Sequence, residues 1–222
     1  MKLNNFYDRI FVIHWKPLKE RKEYLLNKFK ELDISEKVEW VEQYETERDL
    51  LKENNPFNIN SKILAVNLSH IFCYKEQLRK KYKNILIFED DVDFGYIDVI
   101  KYLNQAAEEF ENLDGDMAFL STCCDLKVEK INPPQLLYYD ASYVTRCCGA
   151  YIVNERCVDK LIKSVLNLHA IDRVLNAVIP LLNIRCLWSG LPLRQGSETG
   201  KYKSVLIQIR DENGNYINEQ PI

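Results

Sequence analysis

Four of the five residues from Glu89 to Asp93 are carboxylates: Glu89, Asp90, Asp91 and Asp93. Like charges at that density repel, and a divalent cation is the simplest group that offsets them. Oxygen-only ligands select a hard ion, manganese or magnesium. Alternation along an extended chain sends Glu89, Asp91 and Asp93 to one side, where they can share a metal, and Asp90 to the other, toward a bound ligand or a basic group. A solvated acidic loop is the competing reading of so short a run.

Other residues able to do chemistry are scattered. His70 lies among Val66, Ile71 and Tyr74 at helical spacing, which by itself reads as a core position. Arg21 could pair with a phosphate or be a solvated charge in a first helical turn. Asp172 follows an apolar residue at a helix start, where the dipole favours a carboxylate whether or not it is a base. The seven cysteines include the adjacent pairs Cys123-Cys124 and Cys147-Cys148, but no CxxC spacing for zinc. The odd count, without an export signal, favours free, buried thiols.

These residues need elements to position them. Residues 85–88, Ile-Leu-Ile-Phe, form an unbroken apolar run directly before the acids, as expected of a strand buried on both faces of an α/β sheet. Ligands in such sheets collect at the carboxyl ends of strands, which is where the acids fall. Further strands are predicted at 10–13, 38–41, 117–120, 150–153 and 184–188, with two short ones at 136–146 around Asp140-Ala141. Helices are predicted at 20–32, 62–82, 97–113, 154–166 with Asn154 as cap, and 171–181. Residues 45–60 read as a loop, and Asn213-Gly214 as a hairpin turn. The order implies α/β architecture with a mixed central sheet flanked by helices, in a single domain over residues 1–222. Its core covers about 8–200, with a strand or hairpin extension at 201–222.

The bulk properties exclude several classes. The chain has 222 residues, 46% of them hydrophobic, enough to bury a core. With 30 basic against 33 acidic residues and a net charge of −3, it lacks the clustered positive charge of a nucleic-acid binder. No apolar run approaches the roughly 20 residues of a membrane span. The first residues lack the apolar core of a signal peptide. A cytoplasmic protein, compatible with peripheral membrane association, is the resulting expectation.

Several stretches together resemble glycosyltransferase family 25, which includes lipooligosaccharide and collagen galactosyltransferases. Residues 10–15 followed by Arg21 look like the family's opening strand, with His14 where Asn is usual. Asn67-Leu68-Ser69-His70 is similar to its Leu-Ser-His motif, and Glu89-Asp90-Asp91 to its Glu-Asp-Asp element. Weaker echoes fall at residues 116–120, 149–153, Ile171-Asp172 and Leu193-Arg194-Gln195. The resemblance implies a GT-A-like, Rossmann-type fold and a UDP-sugar donor. It implies a manganese-type cofactor and transfer of a hexose, galactose or glucose, to a glycan or protein hydroxyl with inversion. It also implies that Asp172 is the base, that Ile13, His14, Arg21, Ser69, His70, Asp90 and Gln195 contact the donor, and that Glu89, Asp91 and Asp93 hold the metal. His14 in place of Asn would alter donor choice or abolish turnover.

Two other classes compete. Asp91-Val92-Asp93 is also the pattern of a magnesium-dependent phosphatase, but that fold opens with its motif and places a Thr after it, neither of which holds here. The same fold without turnover would be a sugar-nucleotide-binding or partner-binding module. The sugar and the acceptor depend on pocket and loop residues, such as 45–60 and 121–135, that sequence reasoning does not shape.

Overall fold

The computed structural model describes residues 2–42, 61–95, 97–121, 135–139, 147–164, 170–196, 199, 201–202, 209–210 and 216–217. The expected loop at 45–60, most of the two strands around Asp140-Ala141, the last turn of helix 154–166 and the Asn213-Gly214 turn lie outside the described residues.

Strand β3 (Asn84–Glu89) carries the apolar run, and Ile85, Leu86, Ile87 and Phe88 are all fully buried. Around it are β1 (Arg9–Ile13), β2 (Val38–Val41), β4 (Val92–Asp93), β5 (Met117–Ser121), β6 (Leu137–Tyr138), β7 (Ala150–Asn154) and β8 (Cys186–Gln195). The sheet runs β2-β1-β3-β7-β5-β8-β4, with β6 also on β8. It is mixed, as expected: β1 is parallel to β2 and β3, and β5 to β8, whereas β7 is antiparallel to both β3 and β5. The carboxyl ends of β1, β3, β5 and β8 therefore share one edge with the amino end of β7. Near the C-terminus, β9 (Ile209–Arg210) pairs antiparallel with β10 (Tyr216–Ile217), the arrangement a hairpin requires.

Among the described residues five helices cover the sheet: α1 (Lys19–Glu31), α2 (Ser61–Lys80), α3 (Val99–Asn112), α4 (Glu155–Ser164) and α5 (Ile171–Leu181). Strand alternation sorts the core into two layers. Ile10, Val12, Leu86 and Phe88 pack with Leu25 and Phe29 of α1 and with Leu103, Ala106 and Phe110 of α3. Phe11, Ile85, Ile87, Phe119 and Tyr151 pack with Tyr74 of α2, Leu161 of α4 and Leu175 of α5. The expected cap holds, since Asn154 Oδ1 accepts from Arg156 N at 3.0 Å. Asp33, Lys81, Asp114 and Asn183 adopt left-handed backbone just past α1, α2, α3 and α5, a conformation that Asp and Asn tolerate better than most residues.

Two features differ from the expected pattern. Strand β8 continues well past residue 188, through a register shift opposite Phe119 to Ser121, so that its second half pairs with β4. The cysteines are also not all free thiols. Cys73, Cys148, Cys157 and Cys186 are free and buried, but Cys147 is disulfide-bonded. A disulfide depends on the approach of two Cβ atoms in space, which sequence spacing does not reveal. Burial holds the Cys73, Cys148 and Cys186 thiols well above their usual range and pushes Cys157 up to about 12, so none of the four is a thiolate near neutrality.

Phe88 stacks on Phe29 and meets Phe94 edge-on, at centroid distances of 6.2 and 5.5 Å. Phe88→Ala should therefore cost about 3–5 kcal/mol of stability. Urea unfolding is expected to show a lower midpoint at unchanged m value. A loss below about 1 kcal/mol would show that this layer repacks freely.

Candidate active site

The acids do not continue β3 as one extended strand. The chain turns at Asp90-Asp91 and returns as β4, which pairs with Gln195 and Arg194 of β8. The expected alternation of Glu89, Asp91 and Asp93 is thus interrupted, and Glu89, Asp90 and Asp93 take separate partners.

Asp90 points to the α1 side and is only 7% exposed. Its Oδ1 accepts from Arg21 at 2.7 Å, and its Oδ2 from His14 Nδ1 at 2.8 Å and the Trp15 amide at 3.2 Å. An ionised carboxylate only accepts, so His14 carries its proton on Nδ1. The other ring nitrogen lies 3.8 Å from Glu42 Oε1, and the ring meets Trp40 edge-on. Of the two partners expected for Asp90, the basic group is the one it meets. Arg21 is spent on Asp90, and its guanidinium also lies 5.0 Å from the centroid of the Tyr202 ring.

Glu89 points to the opposite face, toward α2 and α5. Its Oε1 lies 3.3 Å from His70 Nε2, while His70 Nδ1 lies 2.7 Å from the Tyr151 hydroxyl, itself 2.7 Å from the Tyr74 hydroxyl. Burial raises both phenols well above their usual range, keeping them protonated. A consistent chain results: Tyr74 donates to Tyr151, Tyr151 to Nδ1, and Nε2–H to Glu89. His70 thereby orients the carboxylate from behind. The neighbouring Ser69 is turned away, its hydroxyl donating to Ala65 O within α2 at 2.9 Å. Ile13, paired with Glu89 across β1 and β3, is buried in the apolar layer.

Asp172 sits in the first turn of α5, its Oδ1 accepting from Arg173 N at 2.8 Å. Burial raises its pKa from the ordinary aspartate value, the Glu89 charge raises it further, and these outweigh the Arg173 amide and charge. The Cys148 thiol, raised first by burial, feels both Glu89 and Asp172, so the two acids from distant parts of the chain share one neighbourhood.

Asp93 belongs to a different cluster. Lys201 Nζ lies 3.1 Å from its Oδ1, the Gly95 amide donates to the same oxygen at 3.2 Å, and Thr199 donates to Oδ2 at 3.2 Å. Burial pushes this carboxyl up, but the Gly95 amide and Lys201 prevail and hold it below its ordinary value. Lys201 also lies 3.4 Å from the Tyr24 ring centroid. Lys201, Thr199, Tyr202 and Tyr24 carry no sequence signal for this role. Tyr151 lies in one of the weaker family echoes, the only hint of its place behind His70.

Among the described residues no three of His, Cys, Asp and Glu converge into a ready cation cage. With Asp90 and Asp93 held by basic side chains, Glu89 and the partly exposed Asp91 are the oxygen donors at the turn. One or two carboxylates completed by substrate phosphates is a common way to hold magnesium. The donor set fits a hard cation that arrives with a diphosphate better than a resident one.

In an α/β domain of this kind, ligands collect at the carboxyl edge of the sheet, where these buried and half-buried carboxylates lie. The profile of glycosyltransferase family 25 (LPS biosynthesis protein) matches residues 7–175, well over half of the chain. The chain belongs to that family. No curated protein matches it. The family implies a glycosyltransferase with a nucleotide-sugar donor and a glycan acceptor. No helix among the described residues is long and apolar enough to cross a membrane.

Because the Arg21–Asp90 pair is buried, removing one partner strands a charge. Arg21→Met is expected to destabilise by about 3–5 kcal/mol, and Arg21→Met/Asp90→Asn to recover part of that loss. Chemical denaturation of the three variants measures it. An Arg21→Met loss near zero would show that Asp90 is solvated.

Proposed function

We propose that this chain is a metal-dependent glycosyltransferase that moves a hexose, galactose or glucose, from a UDP-sugar to a hydroxyl of a glycan or protein acceptor with inversion. The observation that carries this reading is the convergence of Glu89 and Asp172, from β3 and α5, on one face of the sheet edge, with Asp172 made more basic by burial and by the Glu89 charge.

An inverting transfer needs a base for the acceptor hydroxyl on the side away from the leaving group, and Asp172 is that base in this reading. Glu89 and Asp91 would hold the cation, which when bound would offset the charge that develops on the departing nucleotide. His70 keeps Glu89 oriented, and the Arg21–Asp90–His14 lock fixes the turn that carries Asp91. Arg21 serves the diphosphate only through this lock, because its charge is committed to Asp90.

Manganese-dependent UDP release across a panel of UDP-sugars tests the reading. Turnover of one sugar supports it. Phosphate release from monoesters would favour a phosphatase, and UDP-sugar binding without turnover a binding module. Asp172→Asn should lower kcat about 10²- to 10⁴-fold with the fold retained. Asp91→Asn should remove metal-dependent turnover, and activity surviving that change would reject Asp91 as a ligand.

The raised pKa of Asp172 has two further consequences. Catalysis requires the deprotonated form, so the acid limb of the kcat/KM profile should be displaced upward from that of an ordinary aspartate. For stability the sign is opposite. The folded state holds this proton more tightly than the unfolded chain, so Asp172 costs stability above its folded pKa, and that cost disappears as pH falls toward its unfolded value, roughly 4. Asp172→Asn is expected to raise the melting temperature at pH 7 and to give no gain below about pH 4. Equal gains at both would argue against burial as the cause.

A further inference from the structure

Ser121, the last residue of β5, is wholly buried, yet its hydroxyl has no hydrogen-bond partner among the described residues. Other buried hydroxyls here are satisfied: Ser69 by Ala65 O, Ser189 by Tyr102, Tyr7 by Leu103 O, and Tyr74 with Tyr151. A buried hydroxyl left unpaired is a cost that proteins rarely carry without a use. Ser121 follows Met117 and Phe119 on the face of the sheet that also bears Glu89.

What surrounds it is polar. A Cβ added to Gly149 would lie 2.9 Å from Ser121 Oγ and 2.7 Å from Gln195 Nε2, too close for either. Glycine at 149 is therefore what lets a hydroxyl from β5 and a carboxamide from β8 reach over the same backbone position. The Gly149 carbonyl in turn accepts from the Glu89 amide at 2.9 Å, which ties this pair directly to the first acid of the cluster. Glu89 itself stays 24% exposed at its side chain, so the pair lies next to a carboxylate that solvent reaches.

We infer that Ser121 and Gln195, brought together over Gly149, form a subsite that reads a hydroxyl of the sugar being transferred. The inference rests on the glycosyltransferase reading above and deepens it. A serine hydroxyl both donates and accepts, and so does a carboxamide; neither brings charge, so the pair suits a neutral ring hydroxyl and not a phosphate. A site built to hydrogen-bond a substrate hydroxyl discriminates strongly against an analogue lacking it, because its own polar groups are then left unpaired. The pair determines which sugar is accepted and takes no part in proton transfer.

The test compares wild type with Ser121→Ala, using the UDP-sugar that wild type turns over best, its deoxy-sugar analogues, and UDP alone. Ser121→Ala is expected to fold, with stability unchanged or raised. It should lower kcat/KM for the preferred UDP-sugar about ten- to a hundredfold while leaving UDP affinity by calorimetry unchanged. For the one deoxy-sugar that lacks the hydroxyl in question, wild type and variant should be equal. Wild-type turnover matched by Ser121→Ala on every donor overturns this subsite and leaves the glycosyltransferase reading intact. Equal losses on every donor and on UDP also overturn it, because they mark a general disturbance. Wild-type protein that neither turns over any UDP-sugar nor binds UDP overturns both.

Discussion

A buried carboxylate has to be neutralised, and at Asp90 that requirement organises one end of the molecule. Arg21 comes from α1, and His14 and the Trp15 amide from the loop after β1. All three meet Asp90 at the point where the chain turns out of β3. Because an unpaired charge there would cost several kcal/mol, about 3–5 by the usual measure of a broken buried pair, the turn has little freedom. Its rigidity is what sets Glu89 and Asp91 at the sheet edge on either side of Asp90.

The sheet then divides the remaining work between its faces. On the α1 side, positive groups are spent on holding the acidic turn: Arg21 on Asp90, and Lys201 on Asp93. On the α2 and α5 side lie the polar groups that the proposed function assigns to the ligand, with Glu89 backed by His70 and the two tyrosines, Asp172 on the first turn of α5, and Ser121 beside Gly149. A single carboxylate cluster in sequence thus becomes a structural half and a chemical half. The division follows from the two-residue alternation of β3, which sends Glu89 and Asp90 to opposite layers.

Much of the fold was legible from residue patterns. The run at 85–88 named the central strand, the alternation of apolar stretches gave α/β order, and Asn154 marked a helix start that its side chain does cap. The continuation of β8 was not legible, because the expected strand covered only residues 184–188, whereas a register shift carries it on to meet β4. For the site, local signals named Glu89, Asp90, Asp91 and Asp93 as one cluster. They had no way to show that Asp93 would be claimed by Lys201, more than a hundred residues later. Nor could they show that Ser69 would bond back into its own helix.

The sequence by itself determined the apolar periodicity that buries β3, the placement of carboxylates at its carboxyl end, and membership of glycosyltransferase family 25. These depend on residue type and near spacing, which the linear chain contains. Only the tertiary structure decided which acid meets which base, that burial and then the nearby Glu89 charge hold the Asp172 proton, and that Ser121 and Gln195 share the space over Gly149. Electrostatic and hydrogen-bond partnerships act over a few ångströms, and those distances between remote residues exist only once both layers have packed on the sheet.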